Sequence, residues 1–89
     1  MSSDYNIKMF KLGKILFEYD NYIKNNVNSN IKYNIEFEIN DAIKGLVKYF
    51  SFDLLSSSPI CNKNRIIVFK LARQIYKKQE LQITYSDKT

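Results

Sequence analysis

Histidine is absent from the 89-residue sequence, and cysteine occurs once, at Cys61. Because histidine is the commonest general base and the commonest transition-metal ligand, its absence excludes Ser-His-Asp, Cys-His and zinc-hydrolase chemistry. A single cysteine can form neither an internal disulfide nor a thiolate metal site. We interpret Cys61 as a small apolar core residue, because no nearby residue could activate it as a nucleophile. We therefore expect no metal and no other cofactor.

Glycine is also scarce and occurs only at Gly13 and Gly45. Phosphate-binding loops need closely spaced glycines that let the backbone approach the phosphates, so neither a P-loop nor a dinucleotide fingerprint is present. No apolar run is long enough for a membrane span or for the core of a signal peptide. These absences predict a cytoplasmic protein that is not an enzyme, takes no small-molecule substrate and makes no membrane contact.

The length predicts one domain, residues 1–89, with a modest core. Seven tyrosines and six phenylalanines supply enough core-forming side chains for the chain to fold. A core of this size leaves a dimer or a bound partner as a further source of stability.

Apolar and polar residues alternate strictly over residues 31–39, which predicts a strand with one buried face. From Asp41 the apolar residues follow a helical period, which predicts a helix over residues 41–51 with Asn40 as its N-cap. Residues 81–85 alternate like residues 31–39 and predict a second strand that pairs with the first. The apolar face of the first strand would consist of Ile31, Tyr33, Ile35, Phe37 and Ile39.

The first helix is predicted over residues 4–24, where apolar residues recur at alternating steps of four and three. We interpret this heptad seam either as part of the chain's own core or as the contact surface of a homodimer. Further apolar residues off the seam indicate that the helix is contacted on more than one side. The seam consists of Tyr5, Met9, Leu12, Leu16, Tyr19 and Ile23, and the residues off it are Phe10, Ile15, Phe17 and Tyr22.

A third helix is predicted to begin at an N-cap provided by Asn62 or Asn64. Its buried stripe would consist of Val68, Leu71, Ala72 and Ile75. A buried strand over residues 65–70 is the competing interpretation, because β-branched residues are dense there.

The predicted order of elements is α-β-α-α-β, a small α+β domain with helices packed on a small antiparallel sheet. Two strands make a marginal sheet, so residues 65–70, a second subunit or helix packing would have to supply more stability. The order resembles a winged helix without its last hairpin. In that resemblance residues 65–78 take the place of the recognition helix and residues 41–51 precede it. It implies a DNA-binding regulator.

The net charge of +5 lies entirely in the last third of the sequence. Up to Asp53 seven lysines balance seven acids, whereas the seven basic residues after it face only Glu80 and Asp87. On a helix, the basic residues between positions 63 and 78 would form a ridge without an acid. We call the following residues the basic ridge: Lys63, Arg65, Lys70, Arg73, Gln74, Lys77 and Lys78.

Like charges on one ridge repel each other, which favours binding to a polyanion that neutralises them. We predict that the basic ridge binds nucleic acid or a nucleoprotein, with RNA favoured. Tyr76 is the candidate for stacking on a base. The alternative is that the ridge is only solvated surface.

Three functional hypotheses follow. The first is a non-enzymatic binding protein for nucleic acid or an RNA–protein complex. Its narrowest form is a phage or mobile-element inhibitor of a host defence nucleoprotein, similar in role to anti-CRISPR proteins. The second is a winged-helix-like DNA-binding regulator. The third is a structural or assembly module that dimerises through the first helix.

Overall fold

The computed structural model describes residues 3–25 and 29–88, with side chains described for residues 3–25 and 30–81. Within this part of the chain there are three α-helices, one short 3-10 helix and no strand. The helices are α1 (Ser3–Lys24), α2 (Ser29–Lys44), the 3-10 helix (Val47–Tyr49) and α3 (Pro59–Lys88). The described fold is all-helical, and the predicted α+β fold with an antiparallel sheet is wrong.

The first helix was predicted correctly, and it makes the main contacts with both α2 and α3. Of the heptad seam, Met9, Leu12 and Leu16 are buried, whereas Ile23 is 49% exposed. Tyr5 and Tyr19 are partly buried against the core. The chain therefore uses the centre of the seam for its own core. That core consists of Met9, Leu12, Leu16, Ile35, Ile39, Ile43, Leu46, Leu54, Val68 and Ala72.

Residues 31–39 lie within α2 and do not form the predicted strand. Their alternation overlaps a second pattern, an isoleucine at every fourth residue, and residues four apart share one face of a helix. The second pattern continues beyond residue 39, whereas the alternation stops there. Tyr33 and Phe37 consequently point away from the core and are 72% and 67% exposed. The buried isoleucines are Ile35, Ile39 and Ile43.

The other strand predictions fail for a related reason. Residues 81–85 continue α3, and residues 65–70 are also helical. Because residues 31–39 are helical, the described chain offers no strand with which residues 65–70 or 81–85 could pair. In a helix, the backbone N–H and C=O groups of these residues form hydrogen bonds within the helix itself. The predicted helix over residues 41–51 is also wrong, because α2 ends at Lys44 and the 3-10 helix follows. The order of elements therefore no longer resembles a winged helix.

Helix α3 begins earlier than predicted. The hydroxyl oxygen of Ser58 accepts a hydrogen bond from the backbone N–H of Cys61 at 3.2 Å, so Ser58 is the N-cap. Pro59 follows as the first helical residue, where its missing N–H carries no penalty. Asn62 and Asn64 are inside the helix, and Asn40 is inside α2, so none of the three is a cap.

The first turn of α1 is fastened to the 3-10 helix through Asp4. Its carboxylate accepts a hydrogen bond from the Tyr49 hydroxyl and lies 3.1 Å from Lys8 Nζ and 3.5 Å from Lys48 Nζ. The rings of Tyr5 and Tyr49 pack edge to face at 5.3 Å between centroids. The Tyr49 hydroxyl and then Lys8 lower the pKa of Asp4. This contact holds the chain after α2 against the start of α1.

Candidate nucleic-acid interface

The basic ridge lies on α3, but its members have different surroundings. Lys63, Lys70 and Lys77 are exposed and stand seven residues apart, which is nearly two helical turns. They therefore lie along one line of the helix, about 10.5 Å from one to the next along the axis. Gln74 and Lys78 are exposed beside this line.

Arg65 supports the loop that precedes α3. Its Nη1 donates hydrogen bonds to the carbonyl oxygens of Leu54 and Ser56, both at 2.7 Å. Its Nη2 donates to the side-chain oxygen of Asn62. These bonds hold Leu54, which is 1% exposed, in the core. Arg65 was predicted as a binding residue, and the structure gives it this loop contact instead of a place on the lysine line.

Arg73 is paired with an acid from another helix. Its Nε and Nη2 donate to the two carboxylate oxygens of Asp20 at 2.9 and 3.0 Å, in bidentate geometry. The pair joins α3 to α1 and is partly exposed. Counting acids between residues 63 and 78 could not find this partner, because Asp20 lies 53 residues away in the sequence.

Tyr76 is not placed for stacking on a base. It is only 7% exposed, and its ring lies 5.2 Å from that of Phe10 and 5.5 Å from that of Phe17 between centroids. Burial raises the pKa of its hydroxyl, and Glu80 raises it further. Phe17, by contrast, is 42% exposed. In the sequence, Phe17 was noted only as an apolar residue off the heptad seam. That position indicated a contact outside the seam but did not show that the contact is with α3.

The exposed side of α3 is both basic and aliphatic. Among the described residues, the lysines there have no acidic partner within ion-pair distance. Ile67 is 52% exposed and Leu71 is 40% exposed. The prediction that Leu71 is buried is therefore wrong. Val68 and Ala72 of the same predicted stripe are buried. We call the following residues the α3 outer face: Ile60, Lys63, Ile66, Ile67, Lys70, Leu71, Gln74, Lys77 and Lys78.

A groove of about 360 Å³ runs between α1 and α3 beside this face. Lys70 and Lys77 contribute to its α3 side, and Gly13, Phe17 and Asn21 contribute to its α1 side. Asp20 also lines it, and Arg73 neutralises that carboxylate. We call it the α1–α3 groove.

A second groove, of about 680 Å³, lies between α1 and α2. Its charges balance, because three lysines are matched by three acids, so it does not favour an anionic ligand over a cationic one. The charged residues are Lys8, Lys11, Lys14, Glu18, Glu38 and Asp41.

No cluster of three or more acidic or cysteine side chains is placed to hold a metal ion in the described part of the chain. Cys61 is a buried free thiol. No helix among the described residues contains a segment that is long and apolar enough to cross a bilayer.

Comparison with protein-family models, with curated proteins and with solved structures finds no match to this chain. The α3 outer face and the α1–α3 groove are therefore the features from which we infer a function.

Proposed function

We propose that this chain is a non-enzymatic binding protein that docks onto an RNA–protein assembly through the α3 outer face. The observation that supports this is the line of Lys63, Lys70 and Lys77, which are exposed and have no acidic partner among the described residues. Cations on one line repel each other at some cost to stability. A phosphate backbone relieves that repulsion, and binding releases its condensed counterions.

The aliphatic side chains favour an assembly over naked nucleic acid. Ile60, Ile66 and Ile67 are 71%, 62% and 52% exposed beside the lysines. A phosphate backbone cannot cover such side chains, whereas a protein surface can, and contiguous exposed apolar residues mark protein interfaces. The α3 outer face thus offers lysines for the RNA and aliphatic side chains for the protein of an RNA–protein complex.

The narrowest form of the proposal is an inhibitor of a host defence nucleoprotein, similar in role to anti-CRISPR proteins. Such an inhibitor needs a binding face and no catalytic residue. The proposed setting is the cytoplasm, where the thiol of Cys61 would stay reduced.

The lysine line is tested by the triple variant Lys63→Gln, Lys70→Gln, Lys77→Gln. The matched control is Lys11→Gln, Lys14→Gln, Lys24→Gln, which changes three exposed lysines of α1. Both variants lower the formal net charge from +5 to +2, because each removes three positive charges. Any difference between them therefore reports the position of the charges and not their number.

Binding to single-stranded oligouridine is measured by fluorescence anisotropy over a series of salt concentrations. We expect the slope of log K against log salt to fall by about two to three in the α3 variant, because each phosphate contact contributes roughly 0.7 to 0.9. The control should change it by less than about one. The melting temperature should stay equal or rise in the α3 variant. Equal slopes in the two variants would contradict a role for the lysine line.

The protein component is tested with guide-RNA-loaded CRISPR effector complexes, by measuring cleavage of target DNA. We expect inhibition of at least one effector, and we expect Ile67→Ser with Leu71→Ser to lose it while oligouridine affinity stays unchanged. Absence of inhibition across a panel of effectors would contradict the narrowest form. If the protein bound neither oligouridine nor any of the complexes, the whole proposal would be contradicted.

A further inference from the structure

We infer that the α1–α3 groove holds one unpaired base of a single-stranded nucleic acid against Phe17, with neighbouring phosphates on Lys70 and Lys77. This inference rests on the proposed function and adds to it the strandedness of the nucleic acid and the residue that recognises it. Phe17, Lys70 and Lys77 all line this groove.

Phe17 provides a supported aromatic surface. Phe17 is 42% exposed as a residue, and its ring packs on that of Tyr76 at 5.5 Å between centroids with an angle of 41° between the ring planes. Tyr76 in turn packs on Phe10 at 5.2 Å. Aromatic rings held in this way lose little conformational freedom when a base stacks on them, and stacking tolerates any base because each has a π-face.

The groove has the size for a single nucleotide. Its volume of about 360 Å³ is near the lower end of ligand pockets, which begin at about 300 Å³. A duplex could not enter it, and inside a duplex both faces of each paired base are covered by its neighbours in the stack. Stacking on Phe17 therefore requires an unpaired base.

Two lysines that line the groove are placed for phosphates on either side of that base. Lys70 and Lys77 stand about 10.5 Å apart along α3, so a strand crossing the groove meets a cation at two points. Asp20 would repel a phosphate if it were alone, but both of its carboxylate oxygens accept hydrogen bonds from Arg73. Asn21 and Gln74 line the same groove and offer amide donors and acceptors to a base edge.

Other occupants fit less well. A second copy of this chain would bring its own lysines against Lys70 and Lys77 if the two α3 outer faces met. A membrane surface accepts a projecting apolar face, whereas Phe17 lies in a concave groove. Both occupants are included as outcomes of the test.

The sequence contains no tryptophan, so one substitution creates a fluorophore at a chosen position. The test variant is Phe17→Trp, and the control is Phe37→Trp, on the exposed face of α2 where residue 37 is 67% exposed. Each is titrated at low salt with oligouridine, with oligothymidine, with a relaxed, covalently closed circular DNA duplex that has no ends, and with phosphatidylglycerol vesicles. We expect both single strands to quench Phe17→Trp and to leave Phe37→Trp unchanged, and we expect the duplex to quench neither.

Quenching of Phe17→Trp by the duplex as strongly as by the single strands would overturn the inference. So would quenching by vesicles alone, or a change in emission with protein concentration in the absence of any ligand. A response to oligouridine but not to oligothymidine would support the inference and assign the ligand to RNA.

A second variant, Phe17→Leu, keeps an apolar side chain and removes the aromatic face. We expect single-strand affinity to fall by about 5- to 150-fold, because stacking is worth about 1–3 kcal/mol per base. Duplex affinity should be unchanged, and the helical circular dichroism spectrum should match that of the unsubstituted protein. Unchanged single-strand affinity in Phe17→Leu, together with a reduced salt slope in the lysine variant, would overturn this inference and leave the proposed function standing.

Discussion

Gly13 lies directly against the backbone of Ala72, where α1 packs on α3. A β-carbon on residue 13 would be 2.8 Å from the carbonyl carbon of Ala72 and 2.7 Å from the β-carbon of Tyr76, and closer still to the Ala72 carbonyl oxygen. None of these atoms can rotate away. This contact explains why a residue that costs about 1 kcal/mol in a helix interior stands in the middle of α1.

We expect Gly13→Ala to destabilise the protein by about 1–3 kcal/mol, because the strain of overpacking exceeds the gain in helix propensity. Gly45→Ala is the matched control, since a β-carbon there would meet no atom nearer than 3.5 Å. Its effect should stay within about 1 kcal/mol. Urea denaturation followed by helical circular dichroism measures both. A Gly13→Ala variant as stable as the unsubstituted protein would mean that α1 and α3 are further apart than described.

The register of α2 is tested by a buried and an exposed residue from the stretch that was predicted as a strand. Ile35 is 5% exposed, so Ile35→Ala should cost about 2–5 kcal/mol. Phe37 is 67% exposed, so Phe37→Ala should stay within about 0.5 kcal/mol. A strand with one buried face would make both substitutions costly. Similar losses at the two positions in a denaturant titration would therefore argue for the strand and against α2.

The location of the heptad seam predicts the outcome of placing a charge there. Leu12 is fully buried, so Leu12→Glu leaves an unpaired charge in the core and should cost more than about 4 kcal/mol, enough to unfold much of a small domain. Ile7 is 60% exposed on the same helix, and Ile7→Glu should remain folded. Circular dichroism and analytical ultracentrifugation distinguish the cases. A folded, monomeric Leu12→Glu variant of a dimeric protein would show that the seam joins two chains.

The contact of Asp4 with Tyr49 and Lys8 predicts a dependence of stability on pH. These partners hold the pKa of Asp4 below its ordinary value of 3.8. A group whose pKa is lower in the folded state contributes stability above its unfolded pKa and loses it as the pH falls through the folded pKa. Asp4→Asn should therefore melt at a lower temperature than the unsubstituted protein at neutral pH. The two melting temperatures should converge below about pH 4.

The pKa of Asp53 is also lowered, chiefly by the backbone N–H of Leu55, which donates to its carboxylate at 3.0 Å. Asp53 titrates in the same acid range in both proteins, so its contribution cancels when their melting temperatures are subtracted. A difference between the proteins that stays constant down to about pH 2 would contradict the role of the Asp4 carboxylate.

The sequence was sufficient for α1 because the heptad covers most of the helix, a longer window than the strand-like alternation of Tyr5, Ile7 and Met9 at its start. It was insufficient for residues 31–39, where a period of two and a spacing of four coincide at the same isoleucines. Only Ile43, beyond that stretch, separates the two patterns. Packing against α1 favours the helix over the strand, and the alternation of apolar and polar residues within one segment contains no information about that packing.

In the candidate site, too, features formed by residues close in sequence could be predicted, whereas contacts between distant residues could not. The cluster of cations on α3 was visible because its members are close in sequence. The partners of two of them were not visible, because Arg73 contacts Asp20, 53 residues away, and Arg65 contacts backbone carbonyls of a loop. The burial of Tyr76 likewise depends on Phe10 and Phe17 from α1.

The helix that contacts both others is synthesised first, and one of its two partners is synthesised last. Ribosomes add about 5–20 residues per second, so α1 waits for seconds before α3 is available. During that interval only α2 and the segment that leads to α3 can cover the side chains of Met9, Leu12 and Leu16. The nascent chain therefore presents an apolar stripe of the kind that chaperones bind, and termination before Pro59 would leave a product that cannot complete its core.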